Sequence, residues 1–245
     1  MSEHTGSPAV KIFADGADME GLLRLAADPR IQGFTTNPTH MRTAGIPDYV
    51  AFAKSVLEKL TDRPISFEVF SDEFAEMRAQ ALEIASWGAN VYVKIPVTNT
   101  RGESTAALVR ELSQSGVQVN VTALLTIPQV EAMTEALAGG APSNISVFAG
   151  RIADTGVDPV PVMVQSLEIM RAAPAAELIW ASPREVLNIV QAADIGCHII
   201  TVTYDLLAKL GSLGKDLEQF SLETVQMFHR DAEAAGFAID LATAR

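Results

Sequence analysis

A lysine within an apolar run is the first residue whose type and setting suggest chemistry. Lys94 lies inside residues 90–97, a stretch typical of a buried β-strand. Burial and neighbouring cations lower the pKa of an amine, and the neutral amine can attack a carbonyl carbon to form a Schiff base. A lysine paired with an acid, or one that reaches out to solvent, is the alternative. The spacing by itself leaves both readings open.

Two carboxylates in other strand-like runs are candidate partners of this lysine. Asp15 lies in residues 10–16 and Glu68 in residues 64–70. Schiff-base chemistry needs proton transfers at carbinolamine dehydration and again at carbon–carbon cleavage, and two acids could divide that work. Either acid could instead only neutralise Lys94. Thr122, in residues 118–125, could hold a catalytic water, although a threonine in a strand is often a packing residue.

Two arginines follow the sixth and seventh strand candidates. Arg151 and Arg184 are expected in loops between a strand and a helix, and Ser182 is expected to cap the helix that follows the seventh strand. Guanidinium groups beside a helix N-terminus are suited to binding a phosphate. Surface arginines and a simple helix cap are the alternatives.

The remaining residues favour neither a metal nor a nucleotide cofactor. His4, His40, His198 and His229 have no metal-ligand spacing, and the chain has one cysteine, Cys197, whose apolar flanks indicate an inert core thiol. No glycine-rich phosphate loop is present: the two glycines at 139–140 follow a helix and are typical of its C-cap. We therefore expect a cofactor-free site.

Strand-like and helix-like segments alternate along the chain. The eight strand candidates are residues 10–16, 33–37, 64–70, 90–97, 118–125, 145–151, 177–182 and 197–204. Such alternation indicates a parallel sheet with helical crossovers, and eight strands favour a closed (β/α)8 TIM barrel of class α/β. Residues 221–235 predict an additional C-terminal helix. We expect a flexible tail at 1–9 and one barrel domain over 10–245 that includes this helix.

Polar residues recur at every second position of these strands. Ser66 and Glu68 share one face, as do Tyr92 and Lys94. The same spacing appears in the pairs Asp15 and Phe13, Asn120 and Thr122, Ser146 and Phe148, and Thr201 and Thr203. Because alternate residues of a strand point to the same side, the polar face is predicted to line the barrel interior. Barrel enzymes place their sites at the C-terminal ends of the strands.

Composition excludes several classes of protein. The 245 residues carry 18 basic and 30 acidic side chains, a net charge of −12, which argues against nucleic acid binding. With 48% hydrophobic residues, the chain is not disordered, and no apolar run is long enough to cross a bilayer. Residues 1–9 lack the features of a signal peptide. A cytoplasmic protein is expected.

Six short strings together resemble the transaldolase family, including its short fructose-6-phosphate-aldolase-like branch. In chain order they are Asp15-Gly16-Ala17, Thr35-Thr36-Asn37-Pro38, Lys94-Ile95-Pro96-Val97-Thr98, Asn120-Val121-Thr122, Gly150-Arg151-Ile152 and Ala181-Ser182-Pro183-Arg184. They span nearly the whole chain in family order. One string by itself is weak evidence, but six in order are strong.

The resemblance implies a (β/α)8 barrel that uses no cofactor and acts on phosphorylated sugars. Lys94 would form the Schiff base with a ketose phosphate, Asp15 would take the hydroxyl proton at cleavage, and Glu68 and Thr122 would hold the proton-carrying water. The residues implied to bind the donor hydroxyls and the phosphate are Asn37, Ser146, Arg151, Ser182 and Arg184. A homo-oligomer is also implied, since the short branch forms rings.

Four positions bear on the branch and on the sugar. Glu68 and Phe148 stand where transaldolases have Glu and Phe and where the aldolases tend to have Gln and Tyr, which favours transfer over simple cleavage. The short chain length favours the aldolase branch. Gly16 replaces the usual Thr and Pro183 an aromatic residue, which leaves the sugar open.

Three functions follow from these observations. The first is a transaldolase that transfers a dihydroxyacetone unit, and its alternative is an aldolase that performs reversible cleavage only. A barrel that binds a sugar phosphate without turning it over is an alternative of another class, and the complete lysine, carboxylate and threonine set argues against it.

Overall fold

Eight parallel strands form a closed barrel in a computed structural model, which describes residues 10–239. In chain order the strands are β1 (Lys11–Asp15), β2 (Ile31–Thr35), β3 (Ile65–Glu68), β4 (Val91–Pro96), β5 (Val119–Leu124), β6 (Ser143–Val147), β7 (Ala176–Trp180) and β8 (Ile199–Thr203). Each strand pairs with its sequence neighbours, and β8 pairs with β1 to close the barrel. The predicted (β/α)8 architecture is therefore confirmed.

Helices follow the strands around the outside of the barrel. They are α1 (Met19–Ala26), α2 (Pro38–Thr43), α3 (Tyr49–Leu57), α4 (Phe74–Ala85), α5 (Ala106–Gln114), α6 (Ile127–Leu137), α7 (Ala149–Asp154), α8 (Val160–Met170), α9 (Leu187–Asp194) and α10 (Tyr204–Ala208). Local sequence explains several of their starts: Asp18, Asn37 and Asp48 each accept a hydrogen bond from a backbone N–H in the first helical turn.

The predicted alternation of polar and apolar faces is confirmed. The outward parity of β4 is Val91, Val93 and Ile95, all buried, and it packs against helix α4. Inside the barrel, polar residues satisfy one another. Asn120 Nδ2 donates to Ser66 Oγ at 3.0 Å, and Ser146 Oγ donates to Asn120 Oδ1 at 2.7 Å. These bonds link β3, β5 and β6 and remove the cost of burying unpaired polar groups.

Contacts divide the described chain after Ala208 into the barrel and a C-terminal unit of residues 209–239. The C-terminal unit contains α11 (Leu217–Ala235), which confirms the additional helix with a start four residues before the predicted one. Asp216 caps its N-terminus, and Gly236, at φ 66°, caps its C-terminus. A single domain over 10–245 stays a prediction, and the predicted tail at 1–9 lies outside the described residues.

No helix within residues 10–239 is long and apolar enough to cross a membrane.

The predicted helix start at Ser182 is wrong. Thr126 and Gln129 form a capping box at the start of α6. Ser182, in contrast, does not cap a helix: its φ is +58°, and α9 begins only at Leu187. The Asn188 side chain accepts hydrogen bonds from the backbone N–H groups of Arg184 and Glu185 instead, which holds residues 182–186 as a loop.

Candidate active site

The C-terminal ends of the strands enclose a cavity of about 420 Å³. All ten predicted site residues line it: Asp15, Asn37, Glu68, Lys94, Thr122, Ser146, Phe148, Arg151, Ser182 and Arg184. They come from seven strands or the segments that follow them, because parallel strands bring their carboxyl ends to the same edge of the barrel.

Lys94 lies on the cavity wall with its amine inside the protein. The residue is 7% exposed, and its Nζ donates a hydrogen bond to the carbonyl oxygen of Thr36 at 3.0 Å. Its Nζ also lies 3.3 Å from Oε2 of Glu68, which occupies the adjacent position on the neighbouring strand β3. A buried amine can attack a carbonyl carbon once it is uncharged, and the adjacent Glu68 carboxylate is available for the accompanying proton transfers.

Asp15 ends strand β1 and faces the same cavity. Thr35 Oγ1 donates to its Oδ1 at 2.8 Å, and Nε2 of His40 lies 3.4 Å from its Oδ2. Burial raises the pKa of Asp15, but the His40 contact, the Lys94 and His40 charges and the Thr35 hydrogen bond together outweigh it, so the pKa is lowered from its usual value. Asp15 is therefore an ionised carboxylate, ready to accept a proton.

His40 also lines the cavity, although it is not among the site residues predicted from the sequence. The contact with Asp15 raises the pKa of His40, against the opposing effects of burial and of the Lys94 charge. A signal was present in the sequence: His40 lies three residues after Asn37, in the first turn of a helix that follows a strand. Side chains at such positions face the catalytic end of a barrel.

Asn37 holds the start of α2 and faces the cavity at the same time. Its Oδ1 accepts a hydrogen bond from the backbone N–H of His40 at 2.9 Å. This cap orients the side chain, whose NH₂ group is a donor suited to a sugar hydroxyl.

A bulge in β5 shapes the wall around Thr122. Two residues of β5, Thr122 and Ala123, stand where β6 has one, and Ala123 takes a left-handed φ of 67°. Both residues line the cavity. A positive φ is unfavourable for alanine, so the barrel maintains local strain at the candidate site.

The arginines lie at the far side of the cavity, on and after neighbouring strands. Arg151 is in the short helix α7, with its guanidinium 5.8 Å from the ring centre of Phe148, and not in a loop or strand as the sequence suggested. Arg184 forms a two-point ion pair with Asp154, with Nε 2.9 Å from Oδ1 and a second contact from Nη2 to Oδ2. This pair raises the pKa of Arg184 and lowers that of Asp154.

A close backbone approach explains the conformation of Ser182. A Cβ at Gly150 would lie 1.5 Å from the carbonyl oxygen of Ser182, so only glycine fits. The Gly150 N–H donates to the carbonyl of Ala181 at 3.3 Å. The two segments that carry Arg151 and Arg184 are thereby held together.

The glycine after Asp15 has a structural explanation as well. A Cβ at Gly16 would lie 2.6 Å from Cζ of Tyr204, the first residue of α10, directly after β8. The ring of Tyr204 therefore occupies the space that a larger side chain at position 16 would need. The presence of glycine at position 16, in place of the usual threonine, is therefore coupled to the position of Tyr204.

Among residues 10–239, no group of three or more His, Cys, Asp or Glu side chains could hold a metal ion.

The family is decided by a match over residues 12–244 to the model described as Transaldolase/Fructose-6-phosphate aldolase. The chain belongs to this enzyme family. It is 35% identical over 202 residues to a "Probable transaldolase" of Dehalococcoides mccartyi, covering 82% of this chain and 90% of the relative. A "Probable transaldolase" of Thermoanaerobacter sp. is 34% identical over the same length, covering 82% and 89%. The family resemblance inferred from the six strings is therefore confirmed.

Solved structures agree on the fold. Dihydrodipicolinate synthase from Rhodopseudomonas palustris superposes with a TM-score of 0.56 at 13% identity, covering 80% of this chain and 70% of that protein. At such low identity the similarity concerns the barrel alone.

Proposed function

We propose that this chain is a transaldolase that transfers a dihydroxyacetone unit from a ketose phosphate to an aldose phosphate through a Schiff base on Lys94. The observation that carries the proposal is the buried Lys94 amine, 3.3 Å from Glu68 in a cavity that Asp15 also lines. The family and its relatives named transaldolase support the same activity.

The first step joins the donor to the protein. The uncharged Lys94 amine attacks the C2 carbonyl carbon, its nitrogen then gives up one proton, and the carbonyl oxygen takes up one proton to give a neutral carbinolamine. A second proton lets this oxygen leave as water, while the nitrogen electron pair forms the C=N bond of the iminium ion. Glu68 and Thr122 hold the water that carries these protons, because both line the cavity beside the amine.

The second step breaks the carbon–carbon bond. Asp15 accepts the proton of the C4 hydroxyl, and the O–H electron pair becomes the second bond of the departing aldehyde. The C3–C4 electron pair moves to form an enamine and neutralises the iminium nitrogen. The acceptor aldehyde then enters, and the same steps run in reverse. The lowered pKa of Asp15 keeps the carboxylate ionised for this role.

Binding of the donor divides between the two sides of the cavity. Asn37 and Ser146 offer an amide and a hydroxyl to the donor hydroxyl groups. Arg151, Ser182 and Arg184 form the phosphate end, where two guanidinium groups create a local positive field within a protein of net charge −12.

The alternative is an aldolase that only cleaves its donor. Phe148 supports transfer, because its ring packs against the buried residues Phe13, Ile179, Ala181 and Ile199 and carries no phenol that could protonate the enamine. Without such a donor, the enamine persists until an acceptor arrives. A barrel that binds a sugar phosphate without catalysis would not need Lys94, Glu68 and Asp15 around one cavity.

Borohydride trapping tests the Schiff base. Wild-type protein with fructose 6-phosphate should be reduced to a stable adduct whose peptide maps to Lys94. Lys94→Ala should give no adduct, whereas the exposed surface variant Lys54→Ala should label like the wild type. An absence of adduct with every ketose phosphate tried would favour the binding barrel.

A second assay separates transfer from cleavage. Fructose 6-phosphate is supplied with and without erythrose 4-phosphate, and glyceraldehyde 3-phosphate and free dihydroxyacetone are measured. Transfer predicts sustained aldehyde release only with the acceptor. Accumulation of free dihydroxyacetone without acceptor would make the aldolase reading correct.

The biological setting belongs to the same proposal. We place the protein in the cytoplasm, in sugar-phosphate metabolism related to the pentose phosphate pathway, as a homo-oligomer that requires no cofactor. The single buried Cys197 suits a reducing compartment. Burial raises the pKa of its thiol to about 12, so it is unreactive.

A further inference from the structure

His40 lines the cavity with its imidazole beside a proposed catalytic carboxylate. Its Nε2 lies 3.4 Å from Oδ2 of Asp15, and 36% of its side chain is exposed to the cavity and solvent. The proposed mechanism uses Asp15 but assigns nothing to His40. We propose that His40 is a positioning residue that shares the transferred proton with Asp15. The two side chains together act as the base in the donor half of the reaction and as the acid in the acceptor half.

The geometry aims the imidazole at Asp15. The backbone N–H of His40 is tied to Asn37 Oδ1, which locks the first turn of α2 against the end of β2. Asp15 and Thr35 are paired in register on β1 and β2, and Thr35 Oγ1 donates a hydrogen bond to Oδ1 of Asp15. Oδ2 therefore remains for His40, while Oδ1 has a fixed partner.

Other charged groups face the pair from several strands. Lys94 on β4 acts on both: its charge lowers the pKa of Asp15 and also that of His40. Glu68 on β3 lies beside Lys94, and Arg151 and Arg184 line the far side of the cavity. The direct contact with Asp15 outweighs the Lys94 charge, so the pKa of His40 is raised above its usual 6.5.

The proton balance rests on the proposed transaldolase function. In the donor half, the C4 hydroxyl proton passes to Asp15 and from Asp15 to Nε2 of neutral His40. The iminium ion becomes a neutral enamine as the imidazole becomes imidazolium, so the total charge is unchanged. In the acceptor half, the imidazolium returns the proton through Asp15 to the alkoxide formed by carbon–carbon bond formation.

This sharing predicts opposite pH dependences for the two half-reactions. The donor half needs neutral His40, so its rate should rise as pH increases through the raised pKa of His40. The acceptor half needs protonated His40, so its rate should fall over the same range. An enzyme in which His40 stays beside Asp15 but takes no proton has no such crossing, because the lowered pKa of Asp15 keeps the carboxylate ionised throughout.

The experiment compares wild type and His40→Gln between pH 5.5 and 9. The donor half is read as the single-turnover burst of glyceraldehyde 3-phosphate from fructose 6-phosphate. The acceptor half is read as capture of the dihydroxyacetone-loaded enzyme by erythrose 4-phosphate. In the wild type the donor-half rate should rise and the acceptor-half rate should fall with pH. His40→Gln should lose both pH dependences and run about 100-fold slower. His198→Gln is the matched control, because exposed His198 precedes β8 at the opposite mouth of the barrel, where its Nδ1 accepts a hydrogen bond from the Leu178 N–H.

Three results separate the possible failures. If wild type forms no Lys94 adduct, both the proposed function and this inference are overturned. If wild type forms the Lys94 adduct and is active, but His40→Gln keeps the pH dependence of both half-reactions, only the inference about His40 is wrong. If His40 had a purely structural role, His40→Gln would lower the rates of both half-reactions at every pH and keep their pH dependences. That result would also overturn the inference.

A direct titration covers the case in which His40→Gln does not fold. The imidazole resonances of wild type are followed by NMR across the same pH range, with the His40 resonance identified by elimination from His4→Asn, His198→Gln and His229→Asn. The pKa of His40 should lie above 6.5 and fall in Asp15→Asn, because the favourable carboxylate charge is gone. An unchanged His40 titration in Asp15→Asn would contradict the coupling.

Discussion

Glu68 and Lys94 occupy adjacent positions on neighbouring strands, and their side chains meet at 3.3 Å inside the barrel. Both residues are inward members of the period-two pattern. Parallel pairing of β3 and β4 is therefore sufficient to bring the acid to the amine. The contact makes Glu68 the group best placed to move protons at the Lys94 nitrogen.

Replacing Glu68 by Gln keeps the shape of this side chain but removes the carboxylate. We expect Schiff-base formation to slow by about 100-fold, within the usual range for loss of a general acid–base group. The rate of borohydride-trappable adduct formation measures this effect directly. Glu177→Gln is a suitable control, because this acid pairs with Lys11 and both line a separate pocket. A trapping rate equal to that of wild type would remove Glu68 from the proton path.

Tyr49 is expected to position Glu68 from outside the cavity. Its hydroxyl accepts a hydrogen bond from the Glu68 N–H at 2.7 Å and donates one to the Glu68 carbonyl at 3.1 Å. Its ring contacts Phe67, Phe70 and Trp87. Tyr49→Phe keeps the ring and removes both hydrogen bonds, so we expect a loss of about 1–3 kcal/mol in the free energy of unfolding. Urea denaturation measures it, and Tyr92→Phe at the opposite mouth of the barrel is the comparison.

The same variant should affect catalysis more than binding. A looser Glu68 slows proton transfer, so kcat should fall while KM for the donor stays close to wild type. A change in KM alone would indicate that Tyr49 acts on the binding site and not through Glu68.

Gly16 and Tyr204 should behave as a coupled pair. Gly16→Thr places atoms where the Tyr204 ring lies and should destabilise the barrel by about 1–3 kcal/mol, as overpacking does. In a Tyr204→Ala background the same threonine should cost less, because the ring is gone. A double-mutant cycle on the free energy of unfolding measures the difference. Additive effects would show that the two sites are independent.

Arg184 and Asp154 should have opposite effects on phosphorylated donors. Arg184→Ala removes a guanidinium from the phosphate end, so KM should rise far more for fructose 6-phosphate than for an unphosphorylated ketose. Asp154→Asn removes the charge that competes for this guanidinium, so KM for the phosphorylated donor should fall or stay constant. Equal KM changes for both donors in Arg184→Ala would exclude it from the phosphate site.

Arg171 provides the matched control for this comparison. It is an exposed arginine on the barrel that pairs with Glu168. Arg171→Ala should leave both KM values unchanged, which separates loss of a local phosphate contact from loss of general positive charge.

Local sequence was sufficient for the barrel and for most of its candidate site. Strand–helix alternation and polar residues at every second position are properties of short segments, and parallel strands in a closed barrel bring their carboxyl ends together whatever the loops do. The sequence alone therefore predicts that Lys94, Glu68, Asp15 and Thr122 lie at one end of the barrel.

The tertiary structure alone decided three other features. His40 reaches Asp15 only because β1 pairs with β2 and α2 starts directly afterwards. Ser182 has a cap-like sequence, yet the close approach of Gly150 accompanies a left-handed backbone in place of a helix start.

The third feature is the contact between Gly16 and Tyr204, which lie at opposite ends of the barrel sequence. They meet because β8 pairs with β1 and closes the sheet. Each of these features depends on contacts between segments distant in the chain. Periodicity reports which way a side chain points, but only packing determines which group from another strand will meet it.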